Sequence, residues 1–193
     1  EPDINALMMM PTVNNLDNEI ALFKSSDLIS NVVDSLNLKT SYYIDGFFKK
    51  TEIYLESPFR AEIEALSNKQ AVANIDIKRQ GAEYEVIGNC ILSNGDRYEI
   101  NKKLQEKDFP LSLSVDRDSS LLHITLTENH VVDETKYNIL INRKLSAIAS
   151  ISGSLSISHT NKNSTILDIS MISYNADKGT AIIKELIKQY NEQ

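Results

Sequence analysis

"STILDISMISYNADKGTAIIKELIKQYNEQ" (164–193) changes its hydrophobic period part-way along, and that change sets the class of fold. Leu167, Ile169 and Met171 alternate with polar residues, which reads as one face of a strand. Asn175 or Asp177 can then cap a helix by accepting its free first-turn amides. Beyond them Ile183, Leu186, Ile187 and Tyr190 recur at helical spacing. This stripe is expected to dock on a sheet, with Lys184, Glu185 and Lys188 in water. Upstream, Leu155 and Ile157 alternate like the first strand, and "TNKNS" (160–164) reads as the turn between the two.

A second helical pattern lies near the other end, in "EIALFKSSDLISNVVDSLNL" (19–38). Ile20 and Phe23 are three apart, and Leu28, Ile29, Val32, Val33 and Leu36 continue the spacing. Ser26 and Asp27 are capping residue types, so two short helices with a break near Ser25 are expected, with Asn37 as the stop. Two amphipathic helices need a common apolar partner, and strands 154–159 and 165–172 can supply it.

Between these ends the period is mostly two. Residues 40–56 read as a strand pair around "IDGFF" (44–48), with Asp45-Gly46 as the turn. Pro58 in "ESPF" (56–59) lacks an amide and breaks the ladder. Alternating runs follow at Val72, Ile75, Ile77; at Tyr84, Val86; at Leu111, Leu113, Val115; at Leu122, Ile124, Leu126; and at Tyr137, Ile139, Ile141. "SNGD" (93–96) is a hairpin turn signal, because Asn-Gly tolerates positive φ. "LSAIASIS" (145–152) fits either helix or strand. The expected fold is α+β, with helices packed on one face of a mixed sheet and a β-rich insertion in the middle of the chain. Residues 15–59 and 145–193 form the expected α/β base domain, and 60–144 the insertion.

The 193 residues are 41% hydrophobic and 24% charged, ordinary for a globular chain. A net charge of -7 argues against nucleic-acid binding, which relies on a basic face to displace phosphate counterions. It also disfavours electrostatic adhesion to anionic lipid. The single cysteine, Cys90, excludes an intramolecular disulfide. No run reaches the ~20 apolar residues of a membrane helix. The start at Glu1 and the end at Gln193, inside a helical pattern, read as a piece excised from a longer protein.

No catalytic or metal-ligating constellation is legible. His123, His130 and His159 stand at no metal-ligand spacing, and no phosphate-binding glycine loop or GxSxG elbow occurs. The reading is therefore non-enzymatic, with no catalytic, metal or cofactor site. Tyr42, Tyr43, Phe47 and Phe48, joined by Tyr54, form an aromatic group that could stack on sugar rings. Alternating aromatics in a hairpin are more often core or cross-strand pairs. "NST" (163–165) matches a glycosylation sequon, a frequent chance pattern.

"LDNEIALFKSSDLISNVVDSLNL" (16–38), then "SYY" and "SPF" (57–59), with "STILDISMISYNADKGTAIIKELIKQYNEQ" at the end, resemble the chain-length-determinant family. These are polysaccharide co-polymerases, and they include the periplasmic parts of bacterial tyrosine kinases; the variants most similar to this chain are of Bacteroidetes type. The resemblance covers about 16–59 and 145–193. Gly179 departs from the family's pattern, where alanine is commoner, and lowers local helix propensity by roughly 1 kcal/mol.

The resemblance implies a scaffold and regulatory module on the periplasmic side of the inner membrane. It would be held between two membrane helices outside this chain, with a long helical arm after Gln193. It implies homo-oligomeric rings, with the polysaccharide polymerase and export machinery as partners, in controlling chain length and export of capsular, exo- or O-antigen polysaccharide. Any tyrosine-kinase domain would lie on the cytoplasmic side. A carbohydrate-binding module, or an extracellular adhesin-like subunit, is the alternative that the residues leave open.

Overall fold

The computed structural model describes residues 11–46, 48–65, 71–92, 95–114, 120–129, 131–160 and 166–192. The class is α+β, and its contacts divide the chain into two units. One unit comprises the residues up to Leu36 and those from Ile148 onward; the other is Asn37–Ala147.

The terminal unit contains helices α1 (Pro11–Phe23) and α2 (Ser26–Ser35), the hairpin of β10 (Leu155–His159) and β11 (Leu167–Met171), and helix α4 (Ala176–Asn191). The break between α1 and α2 is fixed by Ser25, whose hydroxyl accepts from Leu28 N at 3.3 Å as N-cap. Leu28, Ile29, Val32 and Val33 form the buried stripe of α2. The helix stops as expected: Asn37 takes the left-handed conformation at φ 49°, which asparagine tolerates. Asn175, not Asp177, caps α4, its side chain accepting from Lys178 N at 2.9 Å. Asp177, in the first turn, favours the positive end of the helix dipole.

Helix α4 packs on α2 and on β11, and the antiparallel pairs Leu155–Met171, Ile157–Ile169 and His159–Leu167 line one face of the hairpin. The inward stripe of α4 is Gly179, Ile182 and Leu186, a different phase from the one expected; Ile187 is exposed and Ile183 half-buried. The cause is local. A Cβ on Gly179 would lie 2.9 Å from Ser173 Cβ, so the helix sits on the strand exit at its glycine, and positions three and seven residues on follow it inward. Lys184 and Lys188 face water as expected, but Glu185 does not, because it turns toward α2. Tyr190 stacks on Phe23 of α1, with ring centroids 4.1 Å apart.

The central unit has two antiparallel sheets. The six-stranded sheet has the order β2 (Lys50–Ile53), β1 (Thr40–Asp45), β9 (Lys136–Ile141), β4 (Val72–Gln80), β5 (Glu83–Ile91) and β6 (Arg97–Gln105). The three-stranded sheet is β3 (Phe59–Ala65), β8 (Ser120–Leu126) and β7 (Leu111–Ser114). Alternating residues of both, among them Ile75, Ile77, Ile139, Phe59, Leu122 and Ile124, make one core. Phe59 anchors it, edge-on to Tyr137 at 5.5 Å and to Tyr84 at 6.4 Å. Gly88 stands opposite Ile75, and a Cβ there would overlap the Asn74 carbonyl oxygen. At one corner β1 secures β3 through side chains: Tyr42 OH accepts from Ala61 N at 3.1 Å, and Thr40 Oγ1 donates to Ala61 O at 3.2 Å.

Three expectations change. Every described strand pairing is antiparallel, so the sheets are not mixed, and the terminal helices meet a two-stranded hairpin rather than a large sheet. Residues 40–59 belong to the central unit instead of the base, because β1 is hydrogen-bonded to β9 along its whole length. The ambiguous stretch at 145–152 is helix α3 (Lys144–Ser154), within which the division between units falls. The expected turns at 93–96 and 160–164, Val115 and the sequon at 163–165 lie wholly or partly outside the described residues.

Candidate functional site

Strand alternation gives the six-stranded sheet a second face, and it is polar. Residues paired across strands share a face, so one row runs Glu52, Tyr43, Asn138, Asp76, Ile87 and Asn101. The next row begins Lys50, Asp45, Lys136, Lys78. Asn138, in the middle strand β9, is only 3% exposed although it points away from the core. Its amide donates to Asn74 Oδ1 at 2.6 Å and to Asp76 Oδ1 at 2.7 Å, while its oxygen accepts from Lys50 Nζ at 2.5 Å. Buried amides need such partners, since an unmade hydrogen bond there costs about 1–3 kcal/mol.

Lys136 bridges two carboxylates, with Nζ 2.9 Å from Asp76 Oδ2 and 3.3 Å from Asp45 Oδ2. The hydrogen bond to Asp76, helped by Asp45, raises its pKa above the ordinary lysine value. Six polar residues from four strands are thus held in fixed positions on this face. Such a surface presents donors and acceptors to a polar ligand; its acids and bases are engaged with one another.

The four aromatic positions separate. Tyr42 faces the core and is 7% exposed, with its hydroxyl bonded to Ala61 and the Arg60 guanidinium 5.3 Å from its ring. Burial pushes its phenol pKa up. Tyr43 is half-buried on the polar face, with Lys50 Nζ 4.9 Å from its ring centroid; burial and then Glu52 raise its pKa. Phe48 is 94% exposed, and Phe47 lies outside the described residues. The cluster around Asn138 was not singled out from sequence. Its signal is the polar half of the alternation, Asn74, Asp76, Lys78 in β4 and Lys136, Asn138 in β9.

On the three-stranded sheet Glu62, His123 and Ser112 stand side by side, with Ser112 Oγ 2.9 Å from His123 Nδ1. A serine beside a histidine is half of a nucleophile arrangement. Here Glu62 Oε1 accepts from Asn37 Nδ2 at 3.3 Å, so that carboxylate is engaged with β1's entry rather than with His123, and the three residues lie on one strand row. His159 Nε2 lies 3.2 Å from Asp17 Oδ1, tying β10 to α1. His130 lies outside the described residues, and among those described no three His, Cys, Asp or Glu side chains gather as a metal site. No helix among them is long and apolar enough to cross a membrane.

Neither a known protein-family model nor a curated protein matches this chain in sequence.

Proposed function

We propose that this chain is a non-catalytic scaffold and regulatory module of a membrane polysaccharide co-polymerase. It acts from the periplasmic side of the inner membrane on the length and export of capsular, exo- or O-antigen polysaccharide. One observation carries the reading. The central unit leaves and rejoins the chain through adjacent strands, Thr40 opposite Ile141 and Asn142 N donating to Lys39 O at 2.8 Å. The segments before and after it, 11–36 and 148–192, fold together as one α/β unit. That topology suits a module tethered at both ends, because the two tethers then join one body. The resemblance of 16–59 and 145–193 to chain-length determinants points the same way.

In this reading the opening helices are packing elements of the tethered body, and copies of the full-length protein assemble with the polymerase and export machinery. Changing Leu186 to alanine in the full-length protein should broaden or shift the length distribution of the exported polysaccharide. An unchanged distribution at normal protein levels would count against the reading.

Direct glycan contact is the second reading, favoured by the ordered polar face around Asn138 and the exposed Phe48. Titration of the purified chain with the producing cell's own polysaccharide, followed by chemical shifts of Tyr43 and Phe48, separates the two readings.

A further inference from the structure

Strand β6 is the outermost strand of the six-stranded sheet and pairs with β5 along all nine of its residues. Among the described residues no strand pairs with its other side. Such an edge offers a row of amides and carbonyls on which another strand can build. The opposite edge, β2, is only four residues long and a poor template.

The core-side face of β6 carries Tyr98, Ile100, Lys102 and Leu104. Ile100 is buried, and Tyr98 and Leu104 are packed partly against the core. The cross-strand row through position 102 runs Ile44, Tyr137, Ile77, Val86 and then Lys102, which is exposed. An ammonium thus ends an otherwise apolar row at the strand where the sheet stops.

Nothing in the proposed function uses this position. We infer that Lys102 keeps β6 from pairing with β6 of a second copy of the chain. The strand is self-complementary about this residue. Antiparallel pairing centred on position 102 sets Ile100 of one copy opposite Leu104 of the other, and Asn101 opposite Lys103. The one clash is Lys102 against Lys102, two like-charged side chains set directly opposite with Cβ atoms roughly 4.5–5.5 Å apart. A register shifted by two residues along the pair brings the ammonium beside Ile100 of the other copy and strips its water. Without the charge, the two core-side faces would run on as one apolar surface.

Sedimentation velocity of the purified chain over a concentration series tests this, with hydrogen exchange across 97–105. The unaltered chain and Lys102→Arg should stay monomeric. Lys102→Val should self-associate at least roughly tenfold more tightly, with new protection of the β6 amides. Lys103→Val, on the solvent face of the same strand, should behave as the unaltered chain does. Lys102→Thr, uncharged and β-branched, carries the test if the valine variant does not fold. A Lys102→Val or Lys102→Thr chain that stays monomeric, or that associates without slower β6 exchange, overturns the inference, as does β6-mediated pairing of the unaltered chain.

Discussion

The Ser35 hydroxyl donates to Glu185 Oε1 at 2.8 Å across a sequence separation of 150 residues. Gln189 Nε2 donates to the same oxygen at 2.8 Å, and Lys188 Nζ lies 3.5 Å away. The Glu185 side chain is 12% exposed, but its partners Ser35 and Lys188 lie at the surface, so water screens these bonds in part. They hold its pKa below the ordinary glutamate value, the bond from Gln189 contributing most and that from Ser35 next.

A pH dependence follows. A carboxylate with a depressed folded pKa stabilises fully above its unfolded value and loses that contribution as pH falls through its folded value. The stability difference between the unaltered chain and Glu185→Gln should therefore be fully present above the ordinary glutamate value and shrink as pH falls through and below it. Urea unfolding at a series of pH values reads it, and a difference independent of pH would show that Ser35 and Gln189 do not hold the ionised form.

Leu186 and Lys188 are two residues apart on α4 and should differ widely on substitution. Leu186 has no exposed surface, and a buried Leu→Ala change costs about 2–5 kcal/mol. That is a large part of the ~5–15 kcal/mol that stabilises a typical domain. Lys188→Ala removes an exposed ion pair worth about 0–1 kcal/mol. Thermal melting of the helical signal should fall by several degrees for the first and hardly move for the second.

Gly179 and Gly153 should respond in opposite directions to alanine. At Gly179 the gain in helix propensity, about 1 kcal/mol, is opposed by the contact with Ser173. Ser173 cannot swing aside freely, because its Oγ donates to Asn175 O at 2.7 Å and accepts from Asn175 N. Gly179→Ala should destabilise, and Ser173→Gly in the same chain should recover part of the loss, a coupling that a double-mutant cycle measures. A Cβ on Gly153, in α3, meets nothing within 4 Å, so Gly153→Ala should stabilise by up to about 1 kcal/mol.

Tyr42→Phe should destabilise by about 1–3 kcal/mol, because it leaves the buried Ala61 amide without its acceptor. Glycan contact by Tyr42 would instead give a folded chain of unchanged stability and altered binding. Denaturant unfolding of the variant decides between them.

Much of the fold was legible because it rests on period and caps. The strands at 155–159 and 167–171, the break before Ser26 and the stop at Asn37 follow from alternation and from residues with one dominant backbone role. The phase of α4 was not. Ile182 and Ile183 are equally apolar, and only the close approach at Gly179 decides which turns inward. The domain boundary was missed for a related reason: β1 and β2 resemble a free hairpin until the pairing of β1 with β9, almost a hundred residues on, is known. Aromatic pattern alone could not divide Tyr42 from Tyr43, since the division is which face of β1 meets the core. The Asn138 cluster was harder still, because it assembles polar residues from four strands with no sequence motif.

Under the proposed function, this chain governs polysaccharide length without doing chemistry of its own. The most direct measurement is the length distribution of surface polysaccharide, resolved by gel electrophoresis, in the producing bacterium with the segment encoding residues 1–193 deleted in frame. The modal length should be lost or displaced, and the full-length gene should restore it. A distribution unchanged in amount and length, with the truncated protein present in the membrane, would contradict the proposed function.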